Sequence, residues 1–311
     1  MKNTENRKQN NLIIGCLCAL TAETLYGLSY VFTKNATDDA SALSLLGWRF
    51  FIAFIVMSLL AATGVIKINL RGKKLQPLFA IVIFNPVIYF IGETMGISHT
   101  TASESGVFLA CIPVASLAAS TLILHKRPTK AQILGILITL VGVLITVLAV
   151  GMSSSLSLVG YLCLLLGVVC FALYSVYVEK ASDFSGMEIT YAMLICGAIV
   201  FTLLAFIEGG LNGNLKNMLS LPFYDMGFLA AILYQGIGCS AIAFFLSNVA
   251  IATIGVNRTS SFIGISTVVS AVAGAVILDE IFSISQIIGA VVIITGVYIA
   301  NIKKKSEGLE K

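Results

Sequence analysis

Long uninterrupted runs of apolar residues dominate the chain. A helix needs about 20 mostly apolar residues to cross the hydrocarbon core of a bilayer. We number as spans 1 to 10 the runs that meet this length: 12–34, 41–63, 76–98, 102–124, 130–150, 156–178, 187–208, 223–247, 257–278 and 284–302. Short segments with turn or charge signals separate them, and the runs lack the alternation of barrel strands. The pattern therefore predicts an all-α integral membrane protein with ten transmembrane helices.

Composition supports this class of protein. Of the 311 residues, 58% are hydrophobic and only 11% are charged, whereas soluble domains carry about 25% charged residues. The net charge of +4 comes from basic residues scattered over short loops, which argues against a nucleic-acid partner. We expect the lipid bilayer to surround the chain. Span 1 is not predicted to be a cleaved signal peptide, because it is longer than the apolar core of one, about 7–15 residues, and no A-x-A site follows it.

Lysine and arginine residues in the loops orient such a chain, because they favour the cytoplasmic side. With a cytoplasmic N-terminus, ten spans return the C-terminus to the cytoplasm, and all but three of the 19 basic residues fall in cytoplasmic segments. The exceptions are Lys34, Arg49 and Lys216, at or near the outer side. We therefore expect a multi-pass protein of the plasma membrane, with residues 1–11 and 303–311 as cytoplasmic tails.

The two halves of the chain resemble each other. Residues 131–147, AQILGILITLVGVLITV, align with 285–301, SQIIGAVVIITGVYIAN. The alignment pairs Gln132 with Gln286, Gly135 with Gly289 and Gly142 with Gly296. Because five is an odd number, a second copy over 156–302 is inserted upside down relative to a first copy over 12–150. Inverted repeats that rock around a site near the membrane midplane are a recurring plan of secondary transporters.

Several short motifs follow one another along the spans. They are LYGLSYVFTKNA in span 1, WRFFIAF in span 2, GISHTTASESGVFLACIPVASLAAS across spans 3 and 4, and VVSAVAGAVILDE in span 9, which ends in Glu280. In this order the chain resembles the drug/metabolite transporter superfamily of the EamA type over essentially its whole length. The resemblance implies export or exchange of small metabolites by alternating access, without specifying the substrate. It departs from the family at HKRP (125–128), where an acidic turn is common, and at Thr267, which matches Pro113.

Glu23 lies at the midpoint of span 1, where a charged side chain costs roughly 2.5–3.5 kcal/mol on insertion scales. Tyr26 and Tyr30 follow at i+3 and i+7, so the three side chains share a helix face. This face predicts the wall of a polar cavity, in which Glu23 carries a proton, contacts the substrate or only bonds to a neighbouring helix. The corresponding position of span 6 is Val169, so the acid is one-sided.

Other polar residues within the spans are further candidates for the substrate or proton pathway. Asn85 and Tyr89 precede Glu93 at helical spacing on one face of span 3, and Pro86 bends the backbone between them. Glu104 begins span 4, where an acid complements the helix dipole. In the second half the candidates are Tyr174, Tyr177, Gln235 and Asn248. Packing within the bundle is the alternative role for all of these side chains.

The remaining sequence features narrow the function. His99 and His125 have no metal-site spacing, and the chain contains no phosphate-binding loop and no catalytic constellation. We therefore expect neither a cofactor nor an enzyme. Gly92 and Gly96 form a GxxxG motif, which predicts packing against span 4 or in a homodimer.

The pattern as a whole predicts a secondary active transporter. An acidic cavity lined by tyrosines suits an amino acid, an amine or a related compound, coupled to protons through Glu23. A non-transporting membrane scaffold or receptor is the alternative, and it predicts no flux of any metabolite and a stable partner on pull-down.

Overall fold

The computed structural model describes residues 2–36, 40–100, 102–148, 157–277 and 283–302, and nearly all of them are helical. The first half contains α1 (Lys2–Ala36), α2 (Ala42–Ala62), α3 (Gln76–Val82), α4 (Tyr89–His99), α5 (Ala102–Leu109), α6 (Ile112–Ile123) and α7 (Lys130–Leu148). The second contains α8 (Leu158–Lys180), α9 (Gly186–Leu211), α10 (Leu215–Tyr224), α11 (Met226–Leu233), α12 (Phe244–Ile254), α13 (Val256–Ser261), α14 (Gly264–Ile277) and α15 (Ile284–Asn301). Short π-helical segments complete spans 3 and 8: Ile83–Ile88 and Tyr234–Ala243.

Nine helical segments within the described ranges are long and apolar enough to cross a membrane. The fourth span consists of the shorter helices α5 and α6, so its predicted continuity over 102–124 was wrong. Pro113 lies in the first turn of α6, where its missing N–H group does not interrupt a helical hydrogen bond. Span 9 is divided in the same way into α13 and α14. The ten-span architecture is confirmed, with a break in the fourth span of each half.

Two segments between or beside the spans differ from the sequence prediction. Helix α1 begins at Lys2, so the N-terminal tail continues the first span as a helix. The polar separator after span 7 contains α10, whose Leu221 is buried while Phe223 is 83% exposed. The indole N–H of Trp48 donates a hydrogen bond to the carbonyl oxygen of Met218 at 3.0 Å and ties α10 to α2. The ends of the two proposed repeats around 149–156, and the tail 303–311, lie outside the described residues.

The helices of the two halves pack in a reciprocal pattern. Span 2 packs on span 7, span 5 on span 10 and span 4 on span 9. Span 1 packs against spans 8 and 9, and span 6 packs against the matching spans 3 and 4. Exchanging the two halves leaves this set of neighbours unchanged.

The glycines aligned in the two halves meet at the crossing of α7 and α15. A Cβ atom on Gly142 would lie 2.9 Å from the carbonyl oxygen of Gly289, and one on Gly289 would lie 2.8 Å from that of Gly142. Two turns away, Cβ atoms on Gly135 and Gly296 would lie 2.6 and 2.7 Å from each other's carbonyl oxygens. The helices approach until their backbones touch, which small residues permit in membrane bundles.

The aligned glutamines have a local role at the start of the same two helices. Gln132 accepts a hydrogen bond from the backbone N–H of Thr129 at 2.9 Å, and its own N–H donates to the Thr129 hydroxyl. Gln286 and Ser283 make the same pair of bonds at 2.8 and 3.2 Å. These are capping boxes, which satisfy two donors at a helix start. The residue matches between spans 5 and 10 are thus explained by helix capping and close packing.

The GxxxG motif of span 3 packs within the chain, although on a different partner than predicted. A Cβ atom on Gly92 would lie 2.8 Å from the carbonyl oxygen of Cys163, and one on Gly96 would lie 3.1 Å from the backbone nitrogen of Leu164. Both of these atoms belong to α8, so the predicted partner, span 4, was wrong. The motif brings spans 3 and 6 close together at one side of the polar region.

Replacing Gly142 by alanine should destabilise the fold. The new methyl group would meet the backbone of α15, which has no flexible end to move aside, and overpacking of this kind costs about 1–3 kcal/mol. Thermal unfolding of the purified protein should show a lower midpoint for Gly142→Ala. Gly210→Ala is the matched control, because nothing lies within 4 Å of a Cβ atom there. Equal midpoints for the two variants would contradict the close-packed crossing.

Candidate functional site

Glu23 is enclosed at the middle of α1. Its side chain is 7% exposed and lies beside the hydroxyl group of Ser266 in α14. One turn further on, a Cβ atom on Gly27 would lie 2.6 Å from the carbonyl oxygen of Ser266, so a glycine is needed for α1 to approach α14 this closely. Val169, the position aligned with Glu23, is 43% exposed on the bundle surface. The two aligned positions therefore occupy different environments, and the acid has no structural counterpart there.

Two tyrosines lie close enough to Glu23 to interact with its charge. They are Tyr26, on the same helix, and Tyr174, on α8. Tyr174, from the second half, therefore lies near the face of span 1 that carries Glu23 and Tyr26. Tyr30 lies further along α1, and its side chain falls outside the described part of the structure, as does that of Glu104.

Arg49 is a central residue that the sequence interpretation missed. We expected it near the outer side, yet its side chain is buried inside the bundle, with 9% of its surface exposed. The Nε–H group donates a hydrogen bond to the Ser240 hydroxyl of span 8 at 2.7 Å. The guanidinium carbon also lies 5.6, 4.9 and 5.9 Å from the ring centroids of three phenylalanines: Phe50, Phe90 and Phe244. Its position well inside a predicted span was the signal that could have identified it.

Tyr89 and Glu93 form a second acidic element beside this arginine. The Tyr89 hydroxyl donates to the carboxylate of Glu93 at 2.7 Å, one helical turn apart on α4. The charge of Arg49 acts on both side chains. No ion pair joins Arg49 to Glu93 or to Glu23 among the described residues. Two carboxyl groups and one guanidinium therefore lie within the bundle without a direct ion pair between them, with Glu23 and Arg49 buried and Glu93 half-buried.

Asn85 does not share a continuous helix face with these residues, so that prediction was wrong. Its backbone is extended, with φ −143° and ψ 120°, because span 3 breaks just before Pro86. The break confirms the bend expected at this proline. Asn85 is nevertheless buried, and its side-chain oxygen has no hydrogen-bond partner within the described ranges. Such a group normally requires a partner, which can be a water molecule or a ligand.

Two of the four candidates in the second half, Tyr174 and Asn248, belong to one chain of hydrogen bonds. Tyr174 donates to the side-chain oxygen of Asn248 at 2.6 Å, and the Asn248 amide nitrogen donates to the Thr190 hydroxyl at 3.0 Å. All three side chains are buried, and they join α8, α12 and α9. Gln235 is also buried, in the π-helical segment of span 8. Tyr177 instead stacks on Phe84 with ring centroids 5.7 Å apart and belongs to the apolar core.

Polar contacts tie the loops together at each end of the bundle. We define the basic end as the end that carries the loops 63–75, 124–129 and 181–185 and residue 255. There Lys73 forms an ion pair with Glu188 at 2.7 Å, and Glu179 contacts Lys126 and accepts from the N–H of Val256 at 2.7 Å. At the opposite end, Ser41 hydrogen-bonds to Glu208. These contacts link the two halves of the chain on both sides of the polar region.

Known proteins share both this sequence pattern and this architecture. A model of the EamA-like transporter family matches residues 13–148 and again 158–302. An uncharacterised transporter of Bacillus subtilis (strain 168), YcxC, is 31% identical over 92% of each chain. A WAT1-related protein of Arabidopsis thaliana is 25% identical over 88% of this chain and 80% of its own. One crystal structure matches with a TM-score of 0.74 at 17% identity, over 92% of this chain and 96% of the other, and shows the same fold.

The chain of hydrogen bonds through Asn248 should contribute to stability. Asn248→Leu removes the acceptor of Tyr174 and the donor to Thr190, whose hydroxyl keeps its bond to the Gly186 carbonyl oxygen at 2.7 Å, and losing buried hydrogen bonds of this kind costs about 1–3 kcal/mol. If the contact is direct, Tyr174→Phe should cost much less in an Asn248→Leu background than in the wild type, with a coupling of about 0.5–3 kcal/mol. Thermal or denaturant unfolding of the purified variants measures both the cost of Asn248→Leu and its coupling with Tyr174→Phe. Tyr298→Phe, at a 72% exposed position, is the control, and additive costs would contradict the network.

Proposed function

Because the chain belongs to the EamA-like transporter family, we propose that it is a secondary active transporter that exports or exchanges a small metabolite by alternating access. The substrate class proposed is an amino acid, an amine or a related compound. The observation that carries the proposal is the group of ionisable side chains inside the bundle, with Glu23 and Arg49 buried and Glu93 half-buried beside Tyr89. Ionisable residues inside membrane spans are costly and commonly mark substrate or proton pathways.

Glu23 is proposed as the group that couples transport to protons. It faces Ser266, Tyr26 and Tyr174 and forms no ion pair among the described side chains. A carboxyl group without a fixed cationic partner can exchange a proton for a substrate as the surroundings change between the two access states. Glu93 differs, because the Tyr89 hydroxyl already donates to it at 2.7 Å. We therefore assign the proton to Glu23 and a supporting acidic role to Glu93.

The ion pairs at the basic end are proposed to open and close this end during alternating access. Lys73–Glu188 and Lys126–Glu179 link loops from the first half to helices of the second half. Both carboxylates are buried, with 4% and 9% of their side chains exposed, so breaking these pairs requires that water or new partners reach the freed groups. We propose that they hold this end closed in the present conformation and open when the halves rock. The substrate region would then be exposed to each side in turn.

We place the basic end in the cytoplasm of a plasma-membrane protein. Within the described loops this end carries Lys67, Arg71, Lys73, Lys74, Lys126, Arg127, Lys130, Lys180 and Arg258. With Arg49 assigned to the interior, the opposite end retains Lys216 and Lys34, and the Lys34 side chain is not described. This asymmetry supports cytoplasmic termini, because basic loops are retained on that side. Cysteine labelling from outside intact cells at the 212–214 turn, and at Gly72 for comparison, tests the orientation.

Glu23→Gln should abolish the proton-driven component of transport. A resistance screen with toxic amino-acid analogues and amines, in cells overproducing the chain, first identifies a substrate. Flux of that compound into proteoliposomes is then measured with and without an imposed proton gradient. The variant should lose the response to the gradient because glutamine cannot titrate, and Glu23→Asp should restore part of it.

Glu208→Gln is the matched control for this experiment, because Glu208 lies near the end of α9 and contacts Ser41 rather than the polar region. It should retain the proton response. Survival of both transport and its proton response in Glu23→Gln would remove Glu23 from the coupling mechanism. Absence of flux for every compound, together with a stable partner on pull-down, would favour a membrane scaffold or receptor instead.

A further inference from the structure

Arg49 has more hydrogen-bond donors than the protein satisfies. A guanidinium group carries five N–H donors and is always charged. Only the Nε–H group donates a hydrogen bond, to Ser240, and the two terminal NH₂ groups donate none to the described residues. Among the residues that the structure describes, no carboxylate lies within ion-pair distance of the Arg49 guanidinium. A buried charge without a paired anion is strongly unfavourable, so the arrangement requires an explanation beyond packing.

The aromatic rings around Arg49 stabilise the cation without using its donors. Phe50, Phe90 and Phe244 come from spans 2, 3 and 8 and place their centroids within 6 Å of the guanidinium carbon. Ring faces attract a cation electrostatically, yet they offer no lone pairs to its N–H groups. The rings and Ser240 therefore hold the guanidinium in place while its terminal donors stay available. This is the requirement for bidentate binding of a planar oxyanion such as a carboxylate.

We infer that Arg49 is the anion-binding residue of the transport site and that the transported compound carries a carboxylate group. The inference rests on the proposed transport function and narrows its substrate class. Glu23 and Glu93 occupy the same enclosed region, so a compound with both a carboxylate and an ammonium group complements the charges on each side. An amine that lacks a carboxylate would leave the guanidinium unpaired and is excluded as the preferred substrate.

The competing role for Arg49 is a structural tie between spans 2 and 8. Three variants separate the two roles. Ser240→Ala removes the tie and keeps the guanidinium, Arg49→Lys keeps a charge without the bidentate geometry, and Arg49→Gln removes the charge. A structural tie predicts that Ser240→Ala and Arg49→Gln weaken the protein alike without altering which compounds bind. An anion site predicts that the Arg49 variants alone change ligand selectivity.

The experiment compares carboxylates with their neutral counterparts. Purified wild-type protein and the three variants are tested for thermal stabilisation by the standard amino acids, by their amides and by the amines that lack the carboxyl group. The wild type should be stabilised by one or more amino acids and much less by the matching amide and amine. Arg49→Gln should weaken binding of the amino acid by about tenfold or more, because a charge-assisted bond is lost, and leave the amide unaffected. Arg49→Lys should be intermediate, and Ser240→Ala should keep the wild-type selectivity.

The outcomes separate this inference from the proposed function. Arg71→Gln, in an exposed loop of the basic end, controls for a change of net charge and should behave as the wild type. If amines and amides bind or are transported as well as the amino acids, the carboxylate inference fails while transport stands. If the Arg49 variants retain the preference for carboxylates, the assignment of Arg49 fails as well. If Arg49→Gln does not fold, the comparison of Arg49→Lys with Ser240→Ala still decides, because equal selectivity in these two variants overturns the inference.

Discussion

The cost of placing charge in a low-dielectric interior governs the arrangement of this molecule. An ionised side chain facing lipid would cost several kcal/mol, so Glu23, Arg49 and Glu93 all turn towards the inside of the bundle. Helices must then approach closely enough to exclude lipid from the polar region. Gly27 in span 1 and the Gly92–Gly96 pair in span 3 permit this approach, because a larger side chain at any of them would meet a neighbouring helix. Enclosing the charges and packing small residues are therefore two aspects of one constraint.

The interior charges come from the first half of the chain, and the second half supplies part of their surroundings. Ser240 and Phe244 hold Arg49, and Ser266 and Tyr174 lie beside Glu23. The reciprocal packing of the halves gives the bundle its shape, while the chemistry is distributed unequally between them. A relative movement of the halves would therefore change the surroundings of Arg49 and Glu23. This is the property that coupled transport requires of its site.

Much of the architecture was predictable from the sequence, because long apolar runs and loop charges directly reflect the thickness and polarity of a bilayer. Glu23 could be chosen as a candidate from the sequence because an acidic side chain at the centre of a span is costly and therefore rare without a role. Arg49, the ninth residue of span 2, was missed because the count of basic residues assigned it to the outer side and not to the interior of its span. The extended backbone at Asn85 depends on tertiary packing around Pro86, and residue spacing alone implied a continuous helix face.

The crossing of α7 and α15 also constrains how the sequence can change over time. Each of the four glycines occupies the space beside the carbonyl oxygen of a glycine in the other half, with Gly142 against Gly289 and Gly135 against Gly296. A larger residue at any of these glycines in one half would therefore clash with the backbone of the other half. The two halves differ in the charges of their interior, yet both carry the glycines of this contact at the same spacing. Close packing at one crossing thus accounts for a part of the internal similarity that the interior charges do not share.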